Sequence, residues 1–221
     1  MQQVLLSDEK PLFIGGTRRV FQHPDYADRC IKVLRSDRTG AARRAQKRGW
    51  KQLLPASAFD DQIKEIRAYQ QLLASTPDLT PVWQHVPEYF GTVTTDCGLG
   101  IVTRLYRNHD GSWPRNLEQR LPRGLTPALC DGIKAFADVM ARYRVLTRDL
   151  LPHNMIAVEH ADGSVQVLVV DGIGSADFIP LAACSQRAAR AKVQRKLKRL
   201  EGRVRMLLPL CDQEKVQLCN F

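Results

Sequence analysis

A chain of 221 residues, 44% hydrophobic and 25% charged, is long enough for one large domain or two small lobes, and this ordinary balance excludes wholesale disorder. A net charge of +10 favours anionic partners, among them nucleotides, nucleic acid, acidic proteins and membrane surfaces, and bears on association rather than fold. No apolar run reaches the length of a membrane span, and Asp8, Glu9 and Lys10 stand too early for a signal peptide, so a cytoplasmic protein is expected.

In chain order, Val4–Leu6 and Leu12–Ile14 read as short strands separated by a turn at residues 7–11. Gly15-Gly16 follows, then Val20-Phe21, a His23-Pro24-Asp25 turn, and a strand over Arg29–Leu34. Residues 36–50 are rich in Arg and Lys and read as a basic helix or a loop. Phe59-Asp60-Asp61 opens a helix carrying Ile63, Ile66, Tyr69, Leu72 and Leu73, which Thr76-Pro77 ends. Trp83–Thr94 and Leu99–Leu105 read as strands joined at Asp96-Cys97-Gly98, with a lobe boundary near Tyr106.

Asn108–Ser112 is a loop. Thr126-Pro127 starts a helix whose stripe is Leu129, Ile133, Phe136, Met140 and Tyr143. Met155–Val158 and Val165–Val170 are strands of a hairpin turning at Asp162-Gly163. Gln186–Leu208 reads as a basic amphipathic helix with Val193, Leu197, Leu200, Val204 and Leu207 on its apolar side. The six cysteines, Cys30, Cys97, Cys130, Cys184, Cys211 and Cys219, form no C-x-x-C pair, which argues against zinc and suits a reducing compartment.

The residues that carry chemistry begin with Thr147-Arg148-Asp149-Leu150-Leu151-Pro152-His153-Asn154, after a long helix and before a strand. The order R-D-L-x-P-x-N is similar to the protein-kinase catalytic loop, in which a carboxylate receives the proton of an attacking hydroxyl and an amide five residues on ligates magnesium. Asp171-Gly172 follows the second hairpin strand, where a carboxylate suits a hard cation. Its position matches the D-F-G aspartate, but Gly172 stands where the phenylalanine would be.

Lys32 lies within the apolar run Cys30–Leu34, where a lone ammonium requires a charge partner. Glu65 is the candidate partner, with Asp61 a weaker rival on the same helix. Gly15 and Gly16 form a turn between strands, as a phosphate-covering loop does, without the full G-x-G-x-x-G spacing.

Taken singly, Gly15-Gly16 is a plain hairpin, Lys32 a snorkelling strand residue, Glu65 a solvated helix residue and Asp171-Gly172 a turn. Their order along the chain supports a shared site. Asp149, Lys32 and Glu65 are the catalytic candidates, Gly15, Gly16 and Lys32 the nucleotide-binding ones, and Asn154 and Asp171 the metal ligands. ATP and Mg2+ are the expected cofactors.

The stretch Ile14–Pro24 followed by Cys30-Ile31-Lys32-Val33, together with Asn108–Ser112 and Thr147–Asn154, resembles the YrbL family of the PhoP regulatory network. The resemblance runs from Leu5 to about Asp177. It implies an α+β, protein-kinase-like bilobal fold in a single domain spanning 1–221. The N-terminal lobe, 1–105, holds an antiparallel sheet with one helix at about 60–75. A smaller helical C-terminal lobe, 106–221, holds the catalytic loop 147–154 and the basic helix at about 186–208. It also implies a signalling link.

Two departures bear on activity. Leu151 stands where kinases carry a lysine two places after the catalytic aspartate, a cation that helps neutralise the transferred phosphoryl group. No Ala-Pro-Glu segment follows Asp171, and the remaining chain is too short for the usual peptide-binding subdomain. The functions to be separated are an atypical kinase acting on a protein or small-molecule hydroxyl, a pseudokinase acting as a nucleotide-dependent regulatory module, and a basic protein binding nucleic acid or an acidic partner. Nucleic acid is not favoured, because the few aromatic residues form no stacking series.

Overall fold

The sequence alternates short β-branched runs with longer amphipathic stretches, and the computed structural model, which describes residues 3–49, 53–174 and 186–214, sorts them into a mixed α+β architecture. The chain divides into two units, residues 1–67 with 88–105, and residues 68–87 with 106–221.

In the first unit, strands β1 (Phe13–Ile14), β2 (Arg18–Gln22), β3 (Arg29–Leu34), β4 (Tyr89–Thr95) and β5 (Gly98–Arg104) form an antiparallel sheet ordered β1-β2-β3-β5-β4. β3 is central and the most apolar, as a strand paired on both sides requires. The two-residue period sends Phe21, Ile31, Val33 and Val102 to one face, where they pack with Leu6 into a buried core. Cross-strand pairing of Arg18 with Leu34, and of Lys32 with Val20 and Ile101, places these residues on the opposite face.

Helix α1 (Gly40–Ala45) is capped by Thr39, whose hydroxyl accepts the Ala42 N–H at 3.3 Å. Gly40 is required there, because a Cβ would stand 2.3 Å from the Ala56 carbonyl oxygen. Part of the basic stretch is therefore helical, while Trp50 and Lys51 lie outside the described residues. Helix α2 (Asp61–Ser75) begins where the acidic pair predicts, with the Asp60 carboxylate accepting the N–H groups of Gln62 and Ile63 at 2.8 and 3.1 Å.

In the second unit, β6 (Arg115–Asn116), β7 (Met155–Glu159) and β8 (Val165–Val169) make a three-stranded antiparallel sheet. Two short helices, α3 (Thr80–Trp83) and α4 (Leu117–Arg120), precede α5 (Pro127–Arg142). Thr126 caps α5, Pro127 occupies its first turn, and Leu129, Ile133, Phe136 and Met140 form its buried stripe. Gly132 lets α5 lie directly against β8, since a Cβ would meet the Val165 carbonyl oxygen at 2.2 Å. Helix α6 (Gln186–Leu207) buries Val193, Leu197, Leu200 and Val204.

Three expectations change. Val4–Leu6 is not a strand: Val4 makes a single parallel bridge to Thr95, and the backbone N–H groups of Leu6 and Ser7 are taken by the Asp96 carboxylate at 2.7 and 3.0 Å. The strand expected from Trp83 begins at Tyr89. Pro81 starts a helical turn that buries Val82 and Val86 four residues apart, and Pro87 separates it from β4. Cys30, Cys97 and Cys211 are free, but Cys130 is disulfide-bonded, so the expectation of thiols throughout fails there. Cys184 and Cys219 lie outside the described residues. Among the described residues no helix is long and apolar enough to cross a membrane.

Candidate functional site

A charged side chain in a sheet core is tolerated only when other charges or dipoles meet it. In the first unit Lys32 is 6% exposed on β3, Arg18 4% on β2, and Glu65 0% on α2. The Arg18 guanidinium contacts the Glu65 carboxylate at 2.8 Å and donates to the Asp61 carbonyl at 3.4 Å. Gln62, one turn before Glu65, donates to the carbonyl oxygens of Lys32 and Leu99, both at 2.8 Å, and so ties α2 to β3 and β5. Asp61, the rival partner, pairs with Arg43 and lies 3.9 Å from Lys64.

Gly15 donates its N–H to the Arg18 carbonyl at 2.8 Å, closing the turn between β1 and β2. Neither Gly15 nor Gly16 has a positive φ, and a Cβ at Gly16 would meet nothing within 4 Å. The turn is thus open at Gly16 rather than conformationally dependent on glycine.

In the second unit the loop after α5 and the segment after β8 are stitched together. Arg148 donates its N–H to the Gly172 carbonyl at 2.7 Å, Thr147 bridges Ile173, and Val170 donates to the Asn154 carbonyl at 2.8 Å. Asp149, Asn154 and Asp171 are therefore held on one framework. Gly172 has φ +85, which lets the chain turn directly after Asp171 and lets the Asp171 carboxylate accept the Gly172 N–H at 2.7 Å. Arg148 reaches the same carboxylate oxygen at 3.4 Å.

Asn154 ends a 3₁₀ turn at Pro152–Asn154, and its side-chain amide makes no hydrogen bond among the described residues. An unengaged amide oxygen and a half-exposed carboxylate are hard donors that fit magnesium, which takes few protein ligands and completes its shell with phosphate and water oxygens. No cluster of three or more His, Cys, Asp or Glu side chains suited to a metal occurs among the described residues.

Asp149 is engaged from α6. Arg203 donates to both carboxylate oxygens at 3.1 Å and to the Leu150 carbonyl at 2.8 Å. The Lys196 ammonium lies 3.6 Å from the Asp149 carboxylate and also donates to the Arg148 carbonyl. The Arg203 hydrogen bonds hold the Asp149 carboxyl below the usual carboxylate range, partial burial opposes this, and the Lys196 charge reinforces it. Asp149 is thus a firmly ionised acceptor rather than a group poised near neutrality.

Arg18, Gln62, Lys196 and Arg203 are the residues that motif reading left without a role. Arg18 could have been found from its place beside the glycine turn, on the same side of an alternating strand as Val20. Lys196 and Arg203 are seven apart and so share a helix face, yet a basic face is ordinarily read as solvated.

The chain belongs to the family described as PhoP regulatory network protein YrbL, which matches residues 4–205. It is 28% identical over 201 residues to "Uncharacterized protein YrbL" of Escherichia coli (strain K12), covering 89% of this chain and 85% of that protein. The same identity and coverage hold for "Uncharacterized protein YrbL" of Shigella flexneri.

Proposed function

We propose that the protein is an atypical, kinase-like phosphotransferase whose two units correspond to the lobes of a reduced protein-kinase fold, binding ATP and magnesium. The observation that carries this reading is the shared framework of Asp149, Asn154 and Asp171, with the Asn154 amide left unengaged. In this reading Asn154 and Asp171 hold the metal, which supplies charge neutralisation to the phosphates. Lys32 orients the phosphates and Glu65 balances the ammonium. Gly15 and Gly16 let the backbone approach the nucleotide.

Asp149, already ionised, accepts the hydrogen bond of a substrate hydroxyl, aims its oxygen and takes its proton late in transfer. The acceptor is a protein or small-molecule hydroxyl. In this reading the recipient is a signalling partner in the cytoplasm, in keeping with the family's description as a PhoP regulatory network protein.

Thermal melting with and without millimolar Mg–ATP tests the reading. Saturation at a hundred times Kd stabilises by about 2.7 kcal/mol. Asp171→Ala and Lys32→Ala are expected to remove that shift, and Asp149→Ala to keep it while abolishing phosphate transfer. A wild-type protein that melts identically with and without Mg–ATP ends the proposal.

The Arg203 fork on both Asp149 oxygens favours a second reading, a nucleotide-dependent regulatory module. Nucleotide-dependent stabilisation without turnover selects it.

A further inference from the structure

The catalytic-loop pattern lacks a cation at Leu151, and the second unit places one beside the same loop from a different element. We infer that Lys196 on α6 takes the part of the absent loop lysine, contacting the transferred phosphoryl group of a nucleoside triphosphate; this rests on the phosphotransferase reading above.

The geometry separates Lys196 from its neighbour Arg203. Arg203 is spent: its guanidinium bonds both oxygens of Asp149 and the Leu150 carbonyl, so it positions the aspartate. Lys196 has three donors, and one is used on the Arg148 carbonyl. Its approach to Asp149 at 3.6 Å is an ion-pair contact, longer than a hydrogen bond. At least one N–H is therefore available, on a flexible stem whose compact charge suits a phosphate.

The side chain is 16% exposed and next to the aspartate, while Leu151 is half-buried two residues along the loop. A cation so placed stabilises charge that builds up during transfer. The acceptor oxygen forms a bond to the γ-phosphorus as the bond from that phosphorus to the β,γ-bridging oxygen breaks. The electron pair leaves with the diphosphate, and the acceptor proton passes to Asp149. Lys196 bonds the moving phosphoryl oxygens throughout.

The test compares wild type, Lys196→Ala, and Lys196→Ala with Leu151→Lys. Affinities are measured for Mg–ADP and for a non-hydrolysable Mg–ATP analogue, and ATP turnover is followed in parallel. Lys196→Ala is expected to keep ADP affinity, to lose the preference for the triphosphate analogue by roughly tenfold, and to slow turnover by about a hundredfold. Returning a lysine to the loop with Leu151→Lys is expected to recover much of both, which a merely structural tether between α6 and the loop would not permit. An unchanged triphosphate preference in Lys196→Ala overturns the inference, and so does faster turnover, which identifies α6 as an inhibitory clamp. Wild-type protein that binds Mg–ATP but never turns it over removes the phosphotransferase reading and this inference with it.

Discussion

Arg18 and Glu65 face each other at 2.8 Å with almost no solvent, where an ion pair is held by mutual need rather than by net stabilisation. Removing one partner leaves the other's charge in a poorly polarisable sheet face beside Lys32. Arg18→Met is therefore expected to lower unfolding free energy by about 3 kcal/mol, read as a lower urea midpoint. Glu65→Gln should cost less in the Arg18→Met background than alone, because the contact between the two side chains is already absent there. The double-mutant cycle measures that coupling, and strictly additive losses would show that the pair is not energetically linked. If the proposed phosphotransferase reading holds, Lys32 differs from Arg18 in the expected readout, since its substitution should show first in nucleotide affinity.

Between elements, the segment after α3 is tied to β8 through both the imidazole and the backbone of His85. His85 Nδ1 lies 2.8 Å from the Val167 carbonyl oxygen, and the Val169 N–H donates to the His85 carbonyl at 3.0 Å. A carbonyl only accepts, so Nδ1 carries the proton. Burial pushes the His85 pKa below its ordinary value, and the bond to Val167 partly offsets this. A folded-state pKa below the unfolded one means that the unfolded chain binds the proton more readily. The contribution of His85 is whole above the ordinary histidine value of about 6.5 and declines as pH falls below it. Melting temperatures from pH 7.5 to 5 should fall more steeply for wild type than for His85→Gln, and parallel curves would contradict this assignment.

The same segment marks where sequence reading stops. Its β-branched and aromatic residues suggest a strand, but Pro81 and the four-residue spacing of Val82 and Val86 settle a helical turn against α5. The caps at Asp60 and Thr126, the central β3 and the hairpin β7–β8 were legible because each depends on local chemistry. The loop carrying Asp149 was legible as a motif. Its bonds to Lys196 and Arg203 were not, because they join residues 47 and 54 positions apart and no local pattern encodes them.

At the scale of the molecule, a net charge of +10 does not describe one surface. Arg18 and Lys32 are buried in the first unit, and Lys196 and Arg203 on α6 are bound to the loop that carries Asp149 in the second. What α6 offers to solvent is a different stripe, including Arg190, Arg195, Lys198 and Arg199. Exposed cations of this kind neutralise phosphates without reading sequence, and their binding weakens steeply with salt. The two faces of the helix should therefore be separable by experiment. Replacing Arg195, Lys198 and Arg199 together by Gln is expected to leave the melting temperature and the Mg–ATP shift within about 0.5 kcal/mol of wild type, as surface substitutions do. The same variant should elute earlier from a polyanion resin, and the salt slope of its binding to a DNA duplex should flatten by up to about one per lost phosphate contact. Lys196→Ala should do the converse, changing the nucleotide readouts and leaving the salt slope nearly intact. A triple variant that loses the Mg–ATP shift would place the solvent-facing stripe in the proposed nucleotide site, and the division of α6 into a face bound to the Asp149 loop and a solvated face would have to be abandoned.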